Sequence, residues 1–201
     1  MLELQRFHDE PLDRWLAQLP AGWDSYPECR MKGAMVREML AGCALAPATV
    51  DRLPAAVASL VRAPPKSSEW VPCALGVGML AAAAKLDRWS LDRLRTMARA
   101  STERLSSRVG LLLALTTPSV LMLASRLRWG LVYRGVDLDW RQEGRAMRVF
   151  VRYPPHLFTE FFALGQGWGL EPALEATRAR NVQMRMVAYS PTESTYEVGW
   201  D

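Results

Sequence analysis

Proton-transfer chemistry has few candidates in this sequence, because histidine occurs only at His8 and His156. Histidine is the side chain whose charge changes most readily near neutral pH, so its scarcity removes most acid–base schemes. His156 and Glu160 stand four positions apart, a spacing that places two side chains on one face of a helix. They are either an oriented base in an enzyme acting on a small apolar substrate, or an ordinary polar pair at a helix start.

A glycine-rich run, Gly165-Gln166-Gly167-Trp168-Gly169, superficially resembles a phosphate-binding loop. Such a loop follows a strand, opens a helix and ends in Lys-Ser or Lys-Thr. This run follows a helical pattern and lacks that ending. With Pro172, it is predicted to break or kink a helix before a second helical piece, Ala173 to Arg180.

Metal-ligating residue types are present, but their spacing does not indicate a metal site. The cysteines are too far apart for a zinc set and have no histidine nearby, which predicts small buried apolar side chains in a reducing compartment. They are Cys29, Cys43 and Cys73. Asp137 and Asp139 alternate along a predicted strand and are interpreted as cross-strand ion partners, with Asp139 facing Arg148. No serine stands in a pattern with histidine that would predict a catalytic triad.

Aromatic and sulfur-containing side chains are the strongest functional hint. Eight tryptophans and ten methionines are many for a chain of 201 residues. They either fill the core and cap its edges or line a pocket for an apolar ligand, and the sequence leaves both possibilities open. If there is a pocket, its predicted lining is Trp129, Phe158, Phe161 and Trp168.

Composition excludes several classes of protein. Half the residues are hydrophobic, enough for one domain with a real core. The net charge is only +4 and the basic residues are scattered, whereas a nucleic-acid-binding protein would cluster them. The N-terminus does not resemble a signal peptide, and polar residues interrupt the apolar stretch Val109 to Ala124, which predicts no membrane segment and a cytoplasmic protein.

Helical periodicity dominates residues 1–130. The predicted helices begin near Leu12, at a Ser25–Glu28 capping box, at Pro47, near Trp70, at Leu91 and at Thr117-Pro118, the last ending near Gly130. The helix near Trp70 is rich in small residues and predicted to be central, and the Leu91 helix, capped by Ser90, extends to about Leu115. Its arginines are interpreted as a solvated face: Arg93, Arg95, Arg99, Arg104 and Arg108.

Residues 131–201 change to a period of two and read as hairpin, helix, hairpin. If Glu143-Gly144 is a two-residue turn, Trp140 faces Met147. Pro154-Pro155 is predicted to open the connecting helix, and the last two strands span Val182 to Tyr189 and Thr195 to Trp200. The predicted fold is therefore α+β, with a helical N-terminal part packed on a small antiparallel sheet made of two hairpins joined by a kinked helix.

Short motifs carry a resemblance to a known family. They are Tyr26-Pro27, Thr117-Pro118-Ser119, Val132-Tyr133-Arg134-Gly135 and Tyr196-Glu197-Val198-Gly199-Trp200. In these the chain resembles a bacterial domain family without an assigned function, found as paralogous sets chiefly in myxobacteria. That family is distantly similar to 4-vinyl-reductase-type sensor domains, haem nitric-oxide-binding domains and TRAPP subunits. In these relatives a helical layer covers a small sheet, and the space between them can hold a ligand.

The resemblance also implies what the chain lacks. Haem-binding relatives carry a histidine on a central helix and a Tyr-x-Ser-x-Arg element. This chain has no histidine between His8 and His156, and Tyr133-Arg134-Gly135 does not supply the element, so no cofactor is expected. Cys73 is a remote substitute ligand for a haem.

The function expected from these observations is a non-catalytic signalling or scaffolding module. It would bind a small apolar ligand or a protein partner, act as a homodimer through its helical layer, and bind neither nucleic acid nor membranes. Fold-level analogy is only an associational ground for this expectation.

Overall fold

The computed structural model describes residues 7–8, 12–106, 129–143, 146–175 and 180–200. Helices dominate its N-terminal part and antiparallel strands its C-terminal part, which confirms the predicted α+β class. The helices are α1 (Leu12–Ala17), α2 (Gly33–Cys43), α3 (Pro47–Val50), α4 (Ala55–Arg62), α5 (Cys73–Leu86), α6 (Leu91–Ser106) and α7 (Glu160–Glu175). Among the described residues, no helix is both long and apolar enough to cross a membrane.

Two antiparallel sheets complete the fold. The small sheet has the order β2-β1-β3 and consists of β1 (Arg30–Lys32), β2 (Trp70–Pro72) and β3 (Tyr133–Arg134). The main sheet has the order β4-β5-β7-β6 and consists of β4 (Asp137–Glu143), β5 (Ala146–Arg152), β6 (Gln183–Tyr189) and β7 (Glu193–Gly199). Helix α7 connects the two hairpins, as predicted. No sequence pattern predicts the small sheet, because strands this short carry almost no periodicity.

The first hairpin has its predicted faces but not its predicted register. Trp140 pairs with Val149 rather than with Met147, and Asp139 lies opposite Phe150. Asp139 Oδ2 also lies 4.0 Å from Arg152 Nη1. Because Phe150 and not Arg148 stands opposite Asp139, the predicted direct cross-strand position of Arg148 is wrong.

The turn explains the difference in register. Glu143 pairs with Ala146, so Glu143 belongs to the strand and is not a turn residue, contrary to the prediction. This moves each pairing by two residues and leaves every side chain on its original face. Hydrophobic alternation therefore cannot distinguish the two registers.

Two helix starts differ from their predictions. The Ser25 hydroxyl accepts a hydrogen bond from the Ala21 amide at 2.8 Å and caps no following helix, since α2 begins only at Gly33, after β1. The helix predicted from Pro47 is divided into α3 and α4, with Pro54 as the N-cap of α4. The predicted Ser90 cap is confirmed, because its hydroxyl accepts from the Arg93 amide at 3.1 Å.

A helix start was predicted at Pro154-Pro155, but α7 begins five residues after Pro155, at Glu160. The carbonyl groups before it are bound by side chains from elsewhere: Tyr26 donates to Pro155 at 2.9 Å, Trp15 to His156 at 2.8 Å, and Tyr189 to Phe158 at 2.8 Å. His156 also has a left-handed φ of 62°. These long-range contacts hold the segment in a turn. The helix then continues through Pro172 to Glu175 without the predicted break.

Helix α5 lies at the centre of the helical part, as its small residues predict. A Cβ on Gly78 would lie 2.2 Å from the Trp23 ring, and one on Gly76 would lie 2.3 Å from the Met31 sulfur. Small residues are therefore required for this close packing. All three cysteines are buried and reduced, as predicted.

Arg93, Arg95 and Arg104 of α6 are exposed, as the predicted solvated face requires, but the α6 arginines also form ion pairs. Arg95 and Arg99 bind the carboxylate of Glu171, which is 1% exposed, and Arg104 binds Glu38 at 2.6 Å. The α6 arginines thus join α6 to its neighbours. Arg108 and the Thr117-Pro118 helix start lie outside the described residues.

Candidate ligand site on helix α7

Helix α7 packs between α6 and the main sheet, and its glycine run makes this possible. A Cβ on Gly165 would lie 3.3 Å from Leu94, and one on Gly169 would lie 3.2 Å from the Thr102 hydroxyl, both on α6. A Cβ on Gly167 would lie 2.8 Å from the ring of Tyr196 on β7. The run lies inside a helix rather than between a strand and a helix, so it serves helix packing and is not a phosphate loop.

We expect Gly167→Ala to lower the free energy of unfolding by about 1–3 kcal/mol, because the new methyl group overlaps a ring that cannot move aside. Tyr196 is fully buried, and its hydroxyl donates to the Ala163 carbonyl at 2.8 Å. Gly165→Ala is the matched control, since it meets only the flexible Leu94 side chain and gains about 1 kcal/mol of helix propensity. Urea unfolding of both variants measures the difference, and equal stability would contradict this packing.

Aromatic rings gather where α7 begins. Phe158 is fully buried and its ring centroid lies 4.6 Å from that of Tyr153, 4.7 Å from Phe162 and 6.2 Å from Tyr133. Trp129 stacks on Tyr133 with 4.5 Å between centroids. We call these five rings the aromatic cluster. It joins the first turn of α7 to the small sheet and to the end of β5.

The other two predicted ligand residues lie elsewhere on α7. Phe161 stacks on Phe7 at 4.2 Å, away from the aromatic cluster. Trp168 borders a cavity of about 10 Å³, which has room for about one water molecule. The cavity is lined by Leu164, Gly167, Trp168, Met184, Met186 and Tyr196. Of the predicted residues, the structure thus brings Trp129 and Phe158 together through Tyr133 and places Phe161 and Trp168 apart.

One buried polar atom in this region has no hydrogen-bond partner among the described residues. Gln166 Nε2 donates to the Tyr133 hydroxyl at 3.1 Å, whereas no group in the described ranges binds the buried Gln166 Oε1. Burial raises the pKa of Tyr133 well above its usual value, so its hydroxyl stays protonated. Leaving a buried acceptor unsatisfied costs about 1–3 kcal/mol. No sequence pattern singles out Gln166, because its environment depends on the strand β3.

His156 and Glu160 do not share a helix face, contrary to the prediction. His156 lies in the turn before α7, and Glu160 is the first residue of the helix and exposed. His156 and Glu160 therefore do not form the predicted arrangement, in which both side chains would lie on one helix face.

The three cysteine thiols are in environments that make them unreactive near neutral pH. Burial raises the pKa of Cys43 to about 12 and that of Cys29 to about 12, and it raises the pKa of Cys73 as well. Cys29 also donates to the Gly135 carbonyl at 3.0 Å. Within the described ranges, no group of three or more His, Cys, Asp or Glu residues is arranged to hold a metal ion.

We expect none of the three cysteines to react with iodoacetamide in the folded protein at pH 8, and all of them to react in urea, because the thiolate is the nucleophile. Rapid labelling of the folded protein would contradict this burial.

The raised pKa values of the cysteines also predict a pH dependence of stability. In the unfolded chain the thiols ionise near pH 8.5. The folded state keeps those protons. The contribution of the thiols to the free energy of unfolding is therefore constant below that pH and falls as pH rises toward 12.

Comparisons with known proteins identify the fold. No protein-family model matches the chain, and no curated protein matches it. Among solved structures, a Cs H-NOX mutant carrying an unnatural amino acid is similar with a TM-score of 0.59 and 12% identity over 85% of this chain and 97% of that one. An oxygen-binding H-NOX domain related to soluble guanylate cyclases, in its oxygen complex, gives 0.58 and 11% over 85% and 95%. A mutant H-NOX of T. tengcongensis gives 0.59 and 10% over 85% and 98%.

These likenesses show that the chain has the H-NOX fold. They agree with one of the distant similarities inferred from the sequence motifs. At this level of identity the likeness concerns the fold alone, and no protein-family model supports the resemblance to the bacterial paralogous family.

The described residues do not fit a haem, the group with which one structural neighbour is described. Haem iron is bound by histidine, thiolate, methionine or tyrosinate ligands. His8 Nε2 bonds to the Trp89 carbonyl at 2.8 Å, and His156 lies in the turn before α7. The Tyr196 hydroxyl donates to the Ala163 carbonyl at 2.8 Å and the Tyr133 hydroxyl accepts from Gln166 at 3.1 Å, so both phenol oxygens are already engaged in hydrogen bonds.

Proposed function

We propose that the chain is a non-catalytic sensor module with a signalling or scaffolding role, and that it binds a small apolar molecule along α7. The observation that carries this proposal is the setting of α7. The helix lies between α6 and the main sheet, with the aromatic cluster at its start and a small cavity beside Trp168. The H-NOX fold supports the same role, because one neighbour with this fold is described as oxygen binding.

The lining indicates the chemistry of the ligand. The cavity is bordered largely by apolar side chains, which favour an apolar ligand. A cavity of about 10 Å³ cannot hold such a molecule without movement. Trp168 and Met186 are only partly buried and methionine adapts its shape readily, so these side chains are the ones we expect to move.

The proposal includes a cytoplasmic location and a homodimer formed through the helical layer. A protein partner is the alternative to a small ligand, for a module that signals by binding another protein. The cytoplasmic location is supported by the three free, buried cysteines, and the homodimer is proposed from the type of module.

Native mass spectrometry of the purified protein tests ligand and subunit count together. We expect a dimer that carries a co-purified small molecule. A second measurement uses the fluorescent probe 8-anilinonaphthalene-1-sulfonate, whose binding should weaken in Trp168→Leu and persist in the control Trp23→Leu, since Trp23 contacts α5 instead of α7. An apo monomer that binds no probe would overturn the proposal.

A further inference from the structure

The small sheet has one buried face and one basic face. Its buried face is formed by Met31, Val71 and Tyr133, which are at most 5% exposed. In the observed register, Arg30 lies opposite Pro72 on one side and Arg134 on the other, and Lys32 lies opposite Trp70. Directly opposed residues share a face. We therefore define the basic face as Arg30, Lys32, Trp70 and Arg134.

A tryptophan holds two of these cations in place. Lys32 Nζ lies 4.3 Å and Arg134 Cζ lies 4.1 Å from the centroid of the Trp70 ring. Cation–π contacts orient a charged group without neutralising it. The third cation, Arg30, donates through Nε to the Pro27 carbonyl at 2.9 Å, which fixes the side chain and leaves its other donors available.

These cations differ from six other arginines of the described chain. Arg62, Arg95, Arg99, Arg104, Arg152 and Arg185 each form an ion pair with a carboxylate. Among the described residues, no carboxylate pairs with Arg30, Lys32 or Arg134. The nearby Glu69 instead accepts from the Lys66 amide at 2.9 Å.

The arrangement costs stability in the isolated chain. Arg30 and Arg134 are direct cross-strand neighbours, and like charges in that position repel each other. An anionic group between them would remove the repulsion. Guanidinium groups bind carboxylates through paired, charge-assisted hydrogen bonds, so the chemistry of the missing partner is that of an oxyanion.

We propose that the basic face is a docking surface for an acidic segment of a partner protein, whose carboxylates bind Arg30 and Arg134 while Lys32 adds charge. A protein segment fits better than a nucleic acid, because single-stranded nucleic acids need open aromatic rings for base stacking, and the Trp70 ring is occupied by two cations. The surface is distinct from the α7 site, so the inference is independent of the proposed ligand.

Fluorescence anisotropy with a labelled peptide rich in glutamate and aspartate tests this docking. We expect the full chain to bind the peptide at low salt and to release it as salt rises. The double variant Arg30→Gln/Arg134→Gln should bind about tenfold or more weakly, since it removes both guanidinium groups. The control Arg62→Gln/Arg185→Gln removes the same charge from exposed ion pairs and should bind like the original chain.

Two further measurements separate the outcomes. Trp70→Leu should also weaken peptide binding, because Lys32 and Arg134 lose the ring that positions them, and circular dichroism checks that each variant is folded. The proposal is overturned if the peptide does not bind the original chain, if both double variants lose affinity equally, or if a labelled oligothymidylate binds more tightly than the peptide.

Discussion

Replacing both Arg95 and Arg99 with methionine is expected to lower the free energy of unfolding by about 3 kcal/mol, the lower end of the range for breaking a buried ion pair. The Glu171 side chain is 1% exposed, and its carboxylate accepts from Arg95 at 3.0 Å and from Arg99 at 2.8 Å. The Met184 amide donates to the same carboxylate at 3.3 Å. Without the guanidinium groups, a buried charge would keep only this backbone partner. Arg95 is 51% exposed, so water replaces part of its contribution.

A third substitution tests whether the uncompensated charge is the cause. Adding Glu171→Gln to the double variant should recover most of the lost stability, because glutamine is neutral and can still accept from the Met184 amide. As a control, Arg62→Met breaks an exposed pair with Asp51 and should cost at most about 1 kcal/mol. Urea unfolding provides all the values, and a triple variant as unstable as the double one would contradict the explanation.

Phe158→Ala is expected to lower the free energy of unfolding by about 3–5 kcal/mol, since it removes a fully buried ring from the aromatic cluster. The lost contacts are those with Tyr153, Phe162 and Tyr133. The milder Phe158→Leu keeps much of the volume and should cost clearly less. Thermal and urea unfolding measure both variants.

The cavity created by Phe158→Ala also tests whether the region at the start of α7 can hold an apolar molecule. A dry apolar cavity of sufficient size binds benzene or xenon. Benzene should therefore raise the melting temperature of this variant, through binding to the folded state, more than that of Phe158→Leu. An equal effect on the two variants would show that the region collapses instead of remaining open.

Periodicity was sufficient for the main amphipathic elements but not for the small sheet. The α6 helix and both C-terminal hairpins follow from the spacing of apolar residues, because a helix and a strand bury one face at different periods. The hairpin register did not follow. A shift of two residues leaves Trp140 on the same face, so only the observed pairing with Val149 distinguishes the registers.

The inward direction of the phenylalanines at the start of α7 was predicted, but their contacts were not. Phe158 and Phe161 were correctly expected to point inward, whereas the structure shows them against different neighbours. The direction of each side chain around a helix follows from the sequence. Which residues that side chain contacts depends on the element that packs against that side of the helix.

The sequence by itself determined the fold class, the burial of the cysteines and the hairpin–helix–hairpin ending, because these depend on local patterns of polarity. Only the tertiary structure decided the roles of the charged and small residues. The arginines of α6 have helical spacing typical of a solvated face, yet Glu171 comes from α7, more than seventy residues away, and binds two of them. The basic face likewise exists only because β1, β2 and β3 are brought together from distant parts of the chain. Charge pairing acts between neighbours in space, and the sequence order does not specify which charges become neighbours.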